Sequence, residues 1–183
     1  GQLNCIEATY DRHSALGAWQ YTLPTDASIE TVDWDRFISG LPKEPFNATK
    51  FFRWRNYKEF GTGVAGDLFV HLLTGIHMIT GSKGPSQIIS MGDLSFWKDG
   101  RNVPDLMTAL MHYPQTNAHP PFLLTLRVNF ASGAGEKTLI RFIGDAGVIT
   151  LSSSEVSVSY DLLSKAPGMA DWEALSTYPA AMQ

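Results

Sequence analysis

Phe122-Leu123-Leu124-Thr125-Leu126-Arg127-Val128-Asn129-Phe130 carries a large apolar residue at every second position, with threonine, arginine and asparagine among the intervening ones. A period of two puts successive side chains on opposite faces, so the stretch reads as a strand with one buried face. The same period runs through residues 88–96, 106–113, 137–143, 148–151 and 156–160. These are about six strands with hairpin-length gaps, which suit antiparallel neighbours, because parallel neighbours need long crossovers. Upstream, Cys5, Ile6, Ala8 and Tyr10 among polar residues predict an opening strand over residues 4–10.

Between that first strand and the run of later ones the signals are helical. Asp33 is placed to cap a short helix through Trp34, Phe37 and Ile38, ended by Gly40 and Pro42, and a second short helix follows Asn47. Val64, Leu68, Leu72, Ile76 and Ile79 recur at helical spacing and predict the longest helix, over residues 64–80, stopped by Gly81, Gly84 and Pro85. Residues 171–182 read as a short closing helix. Helices first and strands afterwards describe an α+β domain, an open and mostly antiparallel sheet with helices packed on one face. The other sheet face is then expected to meet a partner subunit or domain.

The 183 residues suit one domain, and apolar residues at 44% against charged residues at 17% suit a soluble globular core. Eighteen acidic against fourteen basic residues leave a charge of −4, with the basic residues scattered, which argues against nucleic acid as a partner. No apolar run is long enough to span a membrane. The single cysteine, Cys5, precludes an internal disulfide and a cysteine-based zinc cluster, and reads as a small core residue rather than a nucleophile.

Residues 61–66, Gly61-Thr62-Gly63-Val64-Ala65-Gly66, form a literal G-x-G-x-x-G that opens a helix. A dinucleotide fingerprint needs a buried strand before it and an acidic residue about 20 positions beyond it. Here a charged, aromatic stretch precedes the glycines and Ser86 stands where the acid belongs, so the motif reads as a turn of close backbone approach. Asp67 and His71 follow four residues apart on one helical face. Such a pair either does acid–base work, the carboxylate orienting an imidazole that takes a hydroxyl proton, or forms a structural hydrogen bond near a helix start. His77 points to another face and cannot share a metal with His71. His13, His112 and His119 read as ordinary polar residues, and Asn47-Ala48-Thr49 as a chance glycosylation sequon. The stretch Phe51-Phe52-Arg53-Trp54-Arg55-Asn56-Tyr57 is too polar for a core strand and too aromatic for a loop, and is expected to line a pocket.

Thr31-Val32-Asp33-Trp34-Asp35, Phe52 to Tyr57, Gly61 to His71 and Gly100-Arg101-Asn102-Val103-Pro104-Asp105 together resemble the C-terminal domain of the glucose–fructose oxidoreductase and inositol dehydrogenase family, Gfo/Idh/MocA. That resemblance implies an open antiparallel sheet backed by helices, NAD or NADP as cofactor, and a sugar or polyol as substrate. It implies His71 as the substrate-facing acid/base and Asp67 as the aspartate one turn before it. Arg53, Trp54, Arg55 and Tyr57 fall near the family's substrate pocket, where a guanidinium fork and an aromatic face suit a polyol. Thr74 stands where family members often carry a second aspartate.

The expected organisation is one unit, residues 1–183, acting as the substrate-binding and oligomerisation half of an NAD(P)-dependent sugar or polyol oxidoreductase. The family's N-terminal Rossmann domain has no counterpart in these residues and is the expected partner that binds most of the cofactor. The chain alone is then expected to be inactive and to self-associate through its sheet face, in the cytoplasm or, if the parent is exported, in the periplasm. A non-catalytic sugar-binding or oligomerisation domain derived from the same family is the alternative.

Overall fold

The computed structural model describes residues 1–161 and 178–181, so the expected helix over residues 171–182 lies largely outside the described residues. Seven strands form one sheet: β1 (Leu3–Asp11), β2 (Gln87–Asp93), β3 (Leu106–Tyr113), β4 (Phe122–Asn129), β5 (Lys137–Gly144), β6 (Gly147–Ser152) and β7 (Val156–Tyr160). Their spatial order is β2-β3-β4-β1-β5-β6-β7. Every neighbouring pair is antiparallel except β1 and β4, which run parallel with Cys5 opposite Leu123 and Tyr10 opposite Val128. The α+β class and the mostly antiparallel sheet therefore agree with the reading of the sequence.

Alternation in β4 sorts its residues cleanly. Phe122, Leu124, Leu126 and Val128 are buried, whereas Leu123, Thr125 and Arg127 are exposed. In register with them, Ile6 and Ala8 of β1 and Ala109, Met111 and Tyr113 of β3 complete the covered face. Each fully buried large apolar side chain contributes roughly 1.5–3 kcal/mol relative to exposure, so this layer is where the stability of the sheet is concentrated.

The helical segment from Val64 onward lies on that face, through Val64, Phe69, Leu72 and Ile76. α1 (Trp34–Phe37) is capped by Asp33, whose side chain accepts from the Arg36 amide, and α2 (Ala48–Phe52) by Asn47, which accepts from the Lys50 amide. Asn47 of the glycosylation sequon is thus occupied as a helix cap. The single long helix expected over residues 64–80 is two pieces, a π-helical turn at Ala65–Phe69 and α3 (Val70–Thr80). Burial explains the correction: Val64, Phe69, Leu72 and Ile76 face the core, with Phe69 five residues after Val64. A five-residue step is what a π turn adds, and it brings Phe69 inward in place of Leu68, which is only partly buried. Ile79, expected on the apolar stripe, is 58% exposed at the far end of α3.

The strand expected over residues 88–96 stops at Asp93. Asp105, 2% exposed, ends it: its carboxylate accepts the amides of Ser95, Phe96 and Trp97 at 2.8, 2.7 and 2.6 Å, folding the chain out of the sheet. Trp97 then donates its indole N–H to the Phe130 carbonyl, and Val103 is buried beside the α3 layer. Removing the carboxylate in Asp105→Ala leaves three amides without an acceptor in a buried turn, and is expected to lower unfolding free energy by about 2–4 kcal/mol, measured by urea denaturation.

Candidate functional site

Local geometry at the entrance to α3 follows from the glycines. Gly63 is left-handed, at φ +57°, and a Cβ there would stand 3.2 Å from Val103. At Gly66 a Cβ would collide with the Thr62 side chain across the π turn, so only glycine lets the turn close. Gly61 rests on the Trp54 ring, at 3.2 Å from the Cβ it lacks. The three glycines thus serve packing of the chain on itself.

The aromatic and arginine-rich stretch is the end of α2 followed by a 3-10 turn at Trp54–Asn56. It lies against the glycine-rich entrance. Arg55 stacks over Trp54, 4.3 Å from the ring centroid, and its Nε donates to Asp67 Oδ1 at 3.0 Å. Asp67 and Arg55 remain about a third exposed, at 30% and 32%. The carboxylate expected to hold His71 is therefore engaged by Arg55. His71 itself is exposed one turn further on and has no hydrogen-bond partner among the described residues. Thr74 donates its hydroxyl to the Val70 carbonyl at 2.7 Å, so it too is used within the helix.

Arg53 turns the other way, donating from Nε to the Tyr21 carbonyl at 2.8 Å and from Nη1 to Gln20. Gln20 donates in turn to Asp99, which is held in a forked pair by the fully buried Arg101 side chain. Burial opposes the Asp99 charge, but the hydrogen bonds and charge of Arg101 outweigh it and leave the carboxyl below its usual range. Tyr57 is half-buried beside this pair, and burial, then the Asp99 charge, raises its phenol. Sequence reasoning missed Gln20, Asn56, Asp99 and Arg101. Asn56 is 2% exposed and ties the segment down by donating to the Trp19 carbonyl and by accepting the Asn102 amide on its own carbonyl. The available signal was the position of Asn56 and Arg101 inside stretches singled out for other reasons.

The remaining histidines go elsewhere. His77 shares a 2.8 Å hydrogen bond with the buried Tyr113, whose hydroxyl is pushed up to about 12 by burial, while burial lowers the imidazole. His119 stands edge-on to Phe122 inside the core, more buried than an ordinary polar residue. Cys5 is half-buried on the open sheet face, and its thiol is raised by burial and then by Glu7.

No protein-family model and no curated protein matches the sequence. Solved structures match in fold. A levoglucosan dehydrogenase in complex with NADH and levoglucosan superposes with a TM-score of 0.52 over 87% of this chain and 36% of its own, at 15% identity. An oxidoreductase from Sinorhizobium meliloti gives 0.51 over 87% and 33%, at 12% identity. A protein of Desulfitobacterium hafniense assigned as an NADPH-dependent oxidoreductase gives 0.51 over 83% and 32%, at 14% identity. The chain accordingly shares the fold of a portion of these oxidoreductase structures. The chain spans about a third of the length of each of these structures.

The described residues do not fit a nicotinamide dinucleotide at the glycine motif. Space that a pyrophosphate would need at Gly61, Gly63 and Gly66 is filled by Trp54, Val103 and Thr62, and a 3-10 turn rather than a parallel strand leads into it. Titrating NADH into this chain is therefore expected to leave its tryptophan fluorescence unquenched, and saturable quenching would restore the glycine motif as a cofactor site.

Proposed function

We propose that this chain is the substrate-binding half of an NAD(P)-dependent oxidoreductase acting on a sugar or polyol, and that Asp67 and His71 supply its acid–base chemistry. What carries the reading is the placement of an exposed, unengaged imidazole one turn beyond a carboxylate–arginine–tryptophan stack, in a fold otherwise seen in dehydrogenases. The cofactor, which supplies the electron acceptor in this class, belongs to a Rossmann domain beyond these residues.

An alcohol being oxidised must lose its hydroxyl proton, and an uncharged imidazole is the side chain best matched to accept it near neutral pH. His71 is uncommitted and exposed, so a ring nitrogen is available to a substrate hydroxyl. Trp54, under Arg55 and against Gly61, holds the guanidinium in place. Arg55 makes no hydrogen bond through its Nη groups among the described residues, which leaves a planar pair of donors for adjacent hydroxyls while Nε stays on Asp67. Arg53 and Tyr57 stand instead with the Gln20–Asp99–Arg101 network. In the intact enzyme, His71→Ala is expected to lower kcat/KM for its sugar by about 10²–10⁴-fold, the usual contribution of a positioned acid–base group. Unchanged kcat/KM would remove His71 from the chemistry. A sugar that binds with no change in nicotinamide absorbance, with either cofactor, would instead favour the non-catalytic reading.

Self-association through the open sheet face completes the proposal. Ile89, Met91, Leu110 and Leu123 are exposed there, and paired charges run across the centre, Arg141 to Glu7 at 2.7 Å and Arg127 to the buried Asp11 at 2.5 Å. An apolar margin on one side of internally neutralised charges suits a self-complementary contact. Light scattering at micromolar concentration is expected to give the mass of a dimer or larger assembly, and the mass of one chain would contradict it.

A further inference from the structure

Strand β2 is an edge of the sheet. It pairs with β3 on one side, and no strand meets its other side among the described residues. All seven of its residues, Gln87-Ile88-Ile89-Ser90-Met91-Gly92-Asp93, are exposed, Ile89 at 70% and Met91 at 80%. An edge presents a row of unpaired backbone donors and acceptors, and proteins normally blunt it with lysine, proline or a bulge. β2 has none of these: its register with β3 is unbroken, and its one charge is Asp93 at the end.

The strand is also complementary to itself. Two antiparallel copies centred on Ser90 pair all seven residues and keep the same face of each sheet on the same side. Gln87, Ile89, Met91 and Asp93 then share the open face, since Ile89 lies in register with the exposed Leu110. Ile89 of one copy stands opposite Met91 of the other, and Gln87 opposite Asp93, an amide donor facing a carboxylate at each end. Asp93 accepts only local bonds, from the Leu94 amide and the Ser95 hydroxyl. The opposite edge, β7, fails the same operation. Antiparallel copies centred on Val158 set Glu155 of each against Asp161 of the other, two like-charge pairs on a strand of five residues.

We infer that β2 is a self-association edge: a second copy of this chain adds its own β2 antiparallel, centred on Ser90, and the two seven-stranded sheets become continuous. Backbone hydrogen bonds set the register, and the Ile89–Met91 pairs carry the apolar margin across both copies. This contact goes beyond the association proposed above and leaves the open face free, so both contacts can exist in one assembly.

Cross-linking reads the edge directly. In a Cys5→Ser background, Ser90→Cys places one thiol of each copy on the two-fold axis, where opposite residues stand about 4.5–5.5 Å apart at Cβ, near disulfide distance. Mild oxidation of the whole chain at micromolar concentration is expected to convert most of it to a disulfide dimer. Ile89→Cys and Met91→Cys are expected to cross-link when mixed but not singly. Adding Ile89→Lys and Met91→Lys to the Ser90→Cys chain sets lysine against lysine at exposed positions, and is expected to slow cross-linking by about tenfold or more. Ser90→Cys that stays reduced, or that cross-links no faster than Ser157→Cys on β7, overturns the inference. So does equal slowing by Leu123→Lys on the open face of β4, because the face would then be what brings the copies together. A parent mass above one chain with Ser90→Cys still reduced rejects the edge alone. A parent mass of two chains, with cross-linking untouched by Leu123→Lys, rejects the face contact and leaves the edge standing.

Discussion

Strand β1 pairs on both sides, parallel to β4 and antiparallel to β5, and the rest of the molecule depends on that double ladder. Without it β2-β3-β4 and β5-β6-β7 would be two three-stranded sheets, each with an unpaired edge in the middle of the domain. Edges of that kind are exposed rows of backbone donors and acceptors, and inserting the first strand removes both at once. Parallel pairing to β4 also requires a long connection, and the chain uses that connection for α1, α2, the π turn and α3. The helical layer is in this sense the crossover that lets β1 occupy the centre.

The candidate site is a consequence of how that crossover meets the sheet. Phe69, Leu72 and Ile76 must face β4 and β1, and the π turn supplies the extra residue that brings Phe69 inward from Val64. The same turn presents Asp67 to Arg55 and leaves His71 on the exposed side of α3. Packing and chemistry are therefore coupled at one irregularity: straightening the turn would move the buried face and the carboxylate together. Glycines at 63 and 66 make the irregularity affordable, because one adopts a left-handed conformation beside Val103 and the other leaves room for Thr62.

A second polar layer supports the corner from behind. Arg101 and Asp105 are nearly fully buried, which is tolerable only because each is engaged several-fold, Arg101 by Asp99 and the Ala18 carbonyl, Asp105 by three amides. Through Gln20 the Arg101–Asp99 pair reaches Arg53, and through Asn102 and Asn56 the same loop grips the aromatic segment. The loop between β2 and β3 is thus the scaffold on which the putting together of Trp54, Arg55 and Tyr57 rests.

How much of this could be read from residues alone follows the range of each interaction. Period-two alternation from Leu106 to Tyr113 or from Phe122 onward is local, and so are the caps at Asp33 and Asn47, and these elements stand where the sequence puts them. Asp67, His71, Arg53, Trp54, Arg55 and Tyr57 were likewise identifiable as chemically distinctive side chains in a narrow stretch. Their partners were not. Arg55 is twelve positions from Asp67, Arg53 is thirty-three from Gln20, and β1 meets a strand more than a hundred residues away, so each pairing is decided by how the layers dock. The π turn was hidden for a related reason: Leu68 fits an ideal helical stripe, and only the competition between Leu68 and Phe69 for the same core space selects the wider turn. By itself the sequence determined the class of the fold and which side chains could do chemistry, because alternation, capping and residue type are local. The tertiary structure decided which groups hold one another, because packing of the Trp54 turn against the helix entrance brings Arg55 to Asp67.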